Sequence, residues 1–432
     1  MNKVIFIILL LITANCSLDT RSGLWTKNKD LKSEENKKIK KLFLKKNTNT
    51  SEFNRDIKVK FQKNSKNIRS FSNDNNNGLI DYQGNLENVS KYKFSKINRF
   101  NEFDPEFIFK DDNIIFFDNK GSIIKFDNNS KLIWKKNYYS KSEKKLNPIL
   151  FMASYKDTII VADSLSKYYA INVDDGKIIW SKSHVSPFNS QIKIYQDKVF
   201  LIDSENTLNC YSIIDGTKIW ELETEQSFIN SSKKLSIVLK NNKIYFNNSL
   251  GDITAVDIES GSLLWQISTQ NSNNYEDIFN LETSDLIADD KTILFSNNKN
   301  KFYSLDQTNG SINWKQDINS KLRPTLIGNL VVTVSLEGYL YLINNKTGDI
   351  IRITDIFDRF KKQKRKSIKP IGFLVGSKSI YVSTSNGKLI IVDSETGKSK
   401  SIYKIGSSKL SRPLSLNQNI FIIKNNSIIK LD

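Results

Sequence analysis

Few residues in this 432-residue chain have the types and spacing that catalysis or metal binding requires. His184 is its one histidine, which excludes a two-histidine metal site and leaves a Ser/His/Asp triad a single base, in a loop after Trp180. The two cysteines, Cys16 and Cys210, lie too far apart for a Cys-x-x-Cys metal or redox motif and make no disulfide framework. Cys210 falls in an apolar strand-like stretch, where the expected role is that of a small core residue. No set of Asp, Glu and Asn stands out as a calcium site. Catalytic, cofactor and metal residues are therefore expected to be none.

Cys16 has a different chemistry. Met1-Asn2-Lys3 and the apolar run Val4 to Ile12 form the basic start and short hydrophobic stretch of an export signal, too short to span a bilayer well. The run meets Thr13-Ala14-Asn15-Cys16, which resembles a bacterial lipobox, with Thr13 in place of the usual Leu. The resemblance implies cleavage after residue 15, acylation of Cys16 and, with Ser17 rather than Asp next, an outer-membrane anchor facing the periplasm.

Residues 16–85 show little periodicity and contain the turn-rich run Asn73 to Asn77, so they are expected to be a tether. Between Thr26 and Ser70 stand 15 Lys or Arg against 5 Asp or Glu, so the tether holds about half of the formal net charge of +19. Lys37 to Lys46 interleaves Ile39, Leu42, Phe43 and Leu44 with lysines, the pattern of a solvated linker or of a short basic helix on anionic lipid. Of the 65 basic residues 56 are Lys, which speaks for composition and solubility more than for nucleic acid.

The elements that position everything else repeat. Four units align without gaps: an apolar strand, a small residue, then Asp or Asn (Ser212 in one of them), a Gly turn, then Trp four residues after the Gly. Their markers are Gly176 and Trp180, Gly216 and Trp220, Gly261 and Trp265, Gly310 and Trp314. Two more units keep Gly348 and Gly397 but replace Trp with Arg352 and Ser401. An earlier one keeps Trp134 without the Gly. The strands between are apolar almost continuously, as in Thr158-Ile159-Ile160-Val161, which suits sheets covered on both faces. Markers spaced by about 38 to 49 residues predict four-stranded antiparallel blades. After Arg412 an eighth unit stops before its last strand, and Asn88 to Phe94 supplies the missing one. The expected fold is all-β, an eight-bladed β-propeller over residues 86–432, its last blade closed by an N-terminal strand.

The unit at Ala255, Asp257, Gly261 and Trp265 resembles the quinoprotein-type repeat. Two families share it: the PQQ-dependent dehydrogenases and the BamB lipoproteins, which are non-enzymatic eight-bladed scaffolds of outer-membrane β-barrel assembly. The repeat count, the Cys16 motif and the tether favour the second. That resemblance implies no cofactor, partnership with the BamA-like barrel protein and other subunits of the assembly complex, and contact with unfolded barrel clients. It also implies partner loops at Gln226-Ser227-Phe228-Ile229 and at Asn280-Leu281-Glu282. Phe228 would be the apolar anchor and Glu282 the acid, while Ile229 and Asn280 depart from the Arg and the second acid of the family. The alternatives are a PQQ-dependent periplasmic dehydrogenase and a propeller serving another envelope partner.

One insertion stands outside the repeat. Asp358 to Lys369 reads as a basic loop, either solvated or in contact with anionic lipid or an acidic protein surface.

Overall fold

The computed structural model describes residues 51–61, 80, 82, 84–226, 233–269 and 281–432. The described residues form eight four-stranded sheets, each antiparallel throughout. Seven are continuous in sequence, over 108–136, 150–183, 193–223, 237–267, 287–316, 325–355 and 370–404, and are called blades 1 to 7. Blade 8 joins Leu414–Leu416, Asn419–Lys424 and Ser427–Leu431 to Asn88–Lys93. The structure is thus an eight-bladed propeller with the split blade that the truncated last repeat predicts. In each blade the first strand is inner and the fourth outer. The first-to-second and third-to-fourth turns therefore sit at one end of the ring, and the second-to-third turns and inter-blade connections at the other.

The burial pattern follows from the stacking. Middle strands such as Thr158–Asp163 and Lys243–Asn247 are buried on both faces, while outer strands such as Lys218–Glu223 keep exposed residues on alternate positions. Within a blade, Trp180, Trp220, Trp265 and Trp314 pair with the small residues Ala170, Cys210, Ala255 and Ser304, next to a bulge in each outer strand. Cys210 is fully buried, and burial pushes its thiol up to about 12, so it serves as a core residue.

Each Trp then spans to the next blade. Gly261 has φ +73°, and a Cβ there would lie 2.5 Å from the Trp220 ring of the preceding blade. Gly216, Gly310 and Gly348 meet Trp180, Trp265 and Trp314 in the same way, and Gly176 faces Trp134. The glycine therefore supplies a left-handed turn and a bare surface for a ring. The indole Nε1 of Trp134, Trp180, Trp265 and Trp314 donates to Val173, Ile213, Gln307 and Asn345 O at 3.2, 2.9, 3.3 and 2.7 Å. Trp220 Nε1 is buried without a hydrogen-bond partner. Blade 1 lacks the turn glycine, and Ser130 takes φ +64° there.

Where Trp is replaced, so is the latch. Arg352 occupies the Trp register opposite Leu342, and its guanidinium lies against Gly397 of blade 7. In blade 8, Ser90 holds that register opposite Lys430, and Lys430 Nζ and the Tyr92 hydroxyl both donate to Asn128 of blade 1. The ring closes through paired backbone hydrogen bonds between Glu87 and Asp432, at 3.2 and 3.1 Å. Part of the segment expected as tether also belongs to the folded body. Ile80 and Tyr82 are core residues between blades 7 and 8, and residues 51–61 lie along blade 6.

Candidate functional site at the loop end of the ring

The outer strands of blades 3 and 4 end at Glu223 and Ile267, both at the loop end, because consecutive repeats stack side by side. Of the expected partner residues, Phe228, Ile229 and Asn280 lie outside the described residues. So do Cys16 and residues 37–46. Glu282 is described, in the connection that leads into blade 5. Its backbone N donates to Asn298 Oδ1 at 3.0 Å, and its carboxylate pairs with Lys321 Nζ at 2.5 Å. The acid expected to face a partner is thus 20% exposed and tied to the next connection, so its charge is shared between two loops.

Deeper in, the residues just before the inner strands converge on the channel. Glu106 precedes blade 1, Lys233 and Lys234 blade 4, Asp285 blade 5, Arg323 blade 6 and Arg412 blade 8. Glu106 accepts from Lys234 at 2.7 Å and from Arg323 at 3.2 Å. Asp285 accepts from Arg323 Nη2 at 2.7 Å and Nε at 2.8 Å, and from Lys233 at 3.1 Å. Enclosure in the channel would by itself raise the Glu106 carboxyl, whose side chain keeps 39% of its surface exposed, but Lys234 and Arg323 outweigh it and bring it down to about 2. Burial likewise opposes charge on Asp285, yet Lys233 and Arg323 hold it well below the usual carboxylate range. Burial, and then Arg323, disfavour charge on the Arg412 guanidinium, whose Nε and Nη1 are buried without hydrogen-bond partners. These pairs tie blade 1 to blades 4 and 6 across the channel, and blade 5 to blades 4 and 6.

A serine repeats beside the cluster. Ser190, Ser284 and Ser411 each donate to the carbonyl of the next residue and accept from the backbone N–H of Ile202, Ser296 and Ile423 on the second strand. The inner-strand starts are thereby fixed, and the side chains at the following position, among them Asp285 and Arg412, are held at the channel.

The channel cavity measures about 240 Å³ and is lined by Glu106, Lys193, Lys234 and Arg323 together with Phe107 and Phe151. A planar quinone with its divalent cation requires an oxygen-rich donor set. Glu106 and Asp285 already face Lys and Arg, and among the described residues no group of three or more His, Cys, Asp or Glu can hold a metal. The residues present do not fit that cofactor.

His184 is placed structurally. Its ring stacks on Phe188, with Nε2 2.9 Å from Asp203 Oδ2 and Nδ1 3.1 Å from the Tyr211 hydroxyl. The hydroxyl in this relay is a buried phenol that burial pushes upward, which makes it a poor nucleophile.

Comparison with known proteins adds a family. The family model described as outer membrane protein assembly factor BamB matches residues 119–354, more than half of the chain. BamB of Shewanella oneidensis is 21% identical over 279 residues, covering 52% of this chain and 65% of that protein. An uncharacterized protein of Rickettsia conorii is 23% identical over 381 residues, covering 82% of this chain and 88% of its own. Among solved structures, BamB from Moraxella catarrhalis superposes with TM-score 0.66 at 15% identity, covering 81% of this chain and all of that one. A quinohemoprotein alcohol dehydrogenase from Comamonas testosteroni reaches TM-score 0.63 at 10% identity, covering 82% and 78%. At such identities the structural likenesses show the fold alone.

Proposed function

The chain belongs to the family of outer membrane protein assembly factor BamB, and from that premise we propose that it is a non-catalytic scaffold lipoprotein of the outer-membrane β-barrel assembly machinery. It is exported, acylated at Cys16 and held at the periplasmic face of the outer membrane. Its ring docks on the BamA-like subunit through the connections after blades 3 and 4, with Phe228 as apolar anchor and Ile229, Asn280 and Glu282 around it. In doing so it assists insertion of barrel proteins.

The observation that carries this reading is the loop end itself. Glu106, Lys233, Lys234, Asp285 and Arg323 are engaged with one another across blades 1, 4, 5 and 6, which makes a rigid platform. An interface of this kind draws its affinity from a few anchored aromatic and polar contacts on a preformed surface. Site-specific crosslinking from Phe228 and from Glu282 in intact cells tests it. Dye reduction with alcohols or sugars after addition of PQQ and calcium would instead establish the dehydrogenase reading.

A further inference from the structure

Residues 51–61 run antiparallel to Ile350–Asp355, the outer strand of blade 6. Phe53 and Ile353 exchange backbone hydrogen bonds at 3.1 and 2.9 Å, and Asn54 Nδ2 donates to Ile351 O at 3.3 Å. Further along, Ile57 O accepts from Arg352 Nη1 at 2.8 Å, and Val59 N donates to Glu395 O at 3.0 Å in the third-to-fourth turn of blade 7. The direction is therefore fixed. The chain upstream of Ser51 joins the ring at the end where blade 6 leads into the connection 356–369.

One residue marks the meeting point. Asp355 donates its backbone N–H to Glu52 Oε1 at 3.2 Å, and its carboxylate pairs with Arg365 Nη1 at 2.5 Å. The connection is built rather than loose. Phe357, Phe360 and Ile368 are buried beneath it, Arg365 bonds Phe360 O at 3.0 Å and Asp358 O at 2.9 Å, and Lys362–Arg365 forms a helical turn. This frame presents Arg359, Lys361, Lys362, Lys364, Lys366 and Lys369 to solvent, with Asp358 as the one acid in the loop.

We propose that this basic connection is a lipid-docking surface, which binds the headgroups of anionic phospholipids and sets which side of the propeller faces the membrane. Charge argues for that occupant. The adjoining chain segment carries 15 basic against 5 acidic residues over 26–70, so it cannot neutralise the loop, and the same anionic surface attracts both. The inference rests on the proposed export to a membrane surface, while the anchor at Cys16 is a separate matter.

The test is a lysine footprint on the full native protein, purified in detergent and transferred to vesicles. One set is pure phosphatidylcholine, and the other is equal parts phosphatidylcholine and phosphatidylglycerol. A water-soluble amine reagent labels exposed lysines, and mass spectrometry reads each site. Labelling at Lys361, Lys362, Lys364 and Lys366 is expected to fall about fivefold on the anionic vesicles and to recover at high salt. Lys177 and Lys346, at the opposite end of the ring, should label equally in both. Equal labelling of the loop on the two vesicle types overturns the proposal. So does protection confined to lysines 26–70, or protection that appears only in native membranes, which would point to an acidic protein surface. Sedimentation with the neutral vesicles reports the acyl anchor independently, so loss of the anchor and loss of the docking surface are distinguishable.

Discussion

At the scale of single residues, the ring depends on places where a side chain is forbidden. Gly261 combines φ +73° with a Trp220 ring where a Cβ would stand, so Gly261→Ala combines backbone strain with a clash against an indole of the preceding blade. The expected loss is about 1–3 kcal/mol, read by urea denaturation. Ionisable residues give a second prediction. Glu106 has its carboxyl lowered to about 2 by Lys234 and Arg323, from an ordinary 4.5. A depressed folded-state value means the stabilisation is present above the unfolded value and disappears as pH falls through the folded one. Thermal stability should therefore drop between about pH 4.5 and 2, and Glu106→Gln should flatten that drop while lowering stability at neutral pH. An acid limb left unchanged by Glu106→Gln would show that the channel pairs do not contribute.

Among elements, the question is what locks one blade to the next. Four indoles donate across to backbone carbonyls, but Trp220 Nε1 has no partner. Phe at either position keeps most of the apolar contact and removes only the N–H. Trp314→Phe should then cost about 1 kcal/mol more than Trp220→Phe, because only the first breaks a bond, 2.7 Å to Asn345 O. Equal losses in paired denaturation curves would mean that the ring surface alone does the locking.

The same elements show what was legible in the sequence. The Gly and Trp spacing exposed seven blades, and the truncated unit after Arg412 with Asn88 to Phe94 exposed the eighth, because each unit is local and repeats its own register. The channel cluster was not legible. Glu106 and Arg323 are separated by 217 positions, and they meet only because the ring returns the inner-strand starts to one centre. The one local signal was the serine before Gln191, Asp285 and Arg412, which marks where an inner strand begins. Nor did the replacement of Trp by Arg352 announce its reason. That guanidinium reaches Ile57 O, in a segment that composition alone assigns to a linker.

For the whole molecule, an eight-bladed ring closed by its split blade and with its channel crossed by ion pairs is a rigid body that offers loops. The charge distribution gives that body a direction: a basic connection beside the point where the N-terminal chain joins, and the blade 3 and 4 connections elsewhere around the same loop end. The proposed scaffold role, with one surface toward a membrane and another toward a protein, has use for both. The measurement closest to this account is photocrosslinking in intact cells from single positions, Phe228 and Glu282, with Lys346 at the opposite end as control. Both loop positions are expected to capture the BamA-like barrel protein, and Lys346 is not. Failure of both positions to capture it, with the protein folded and at the membrane, would contradict the scaffold assignment.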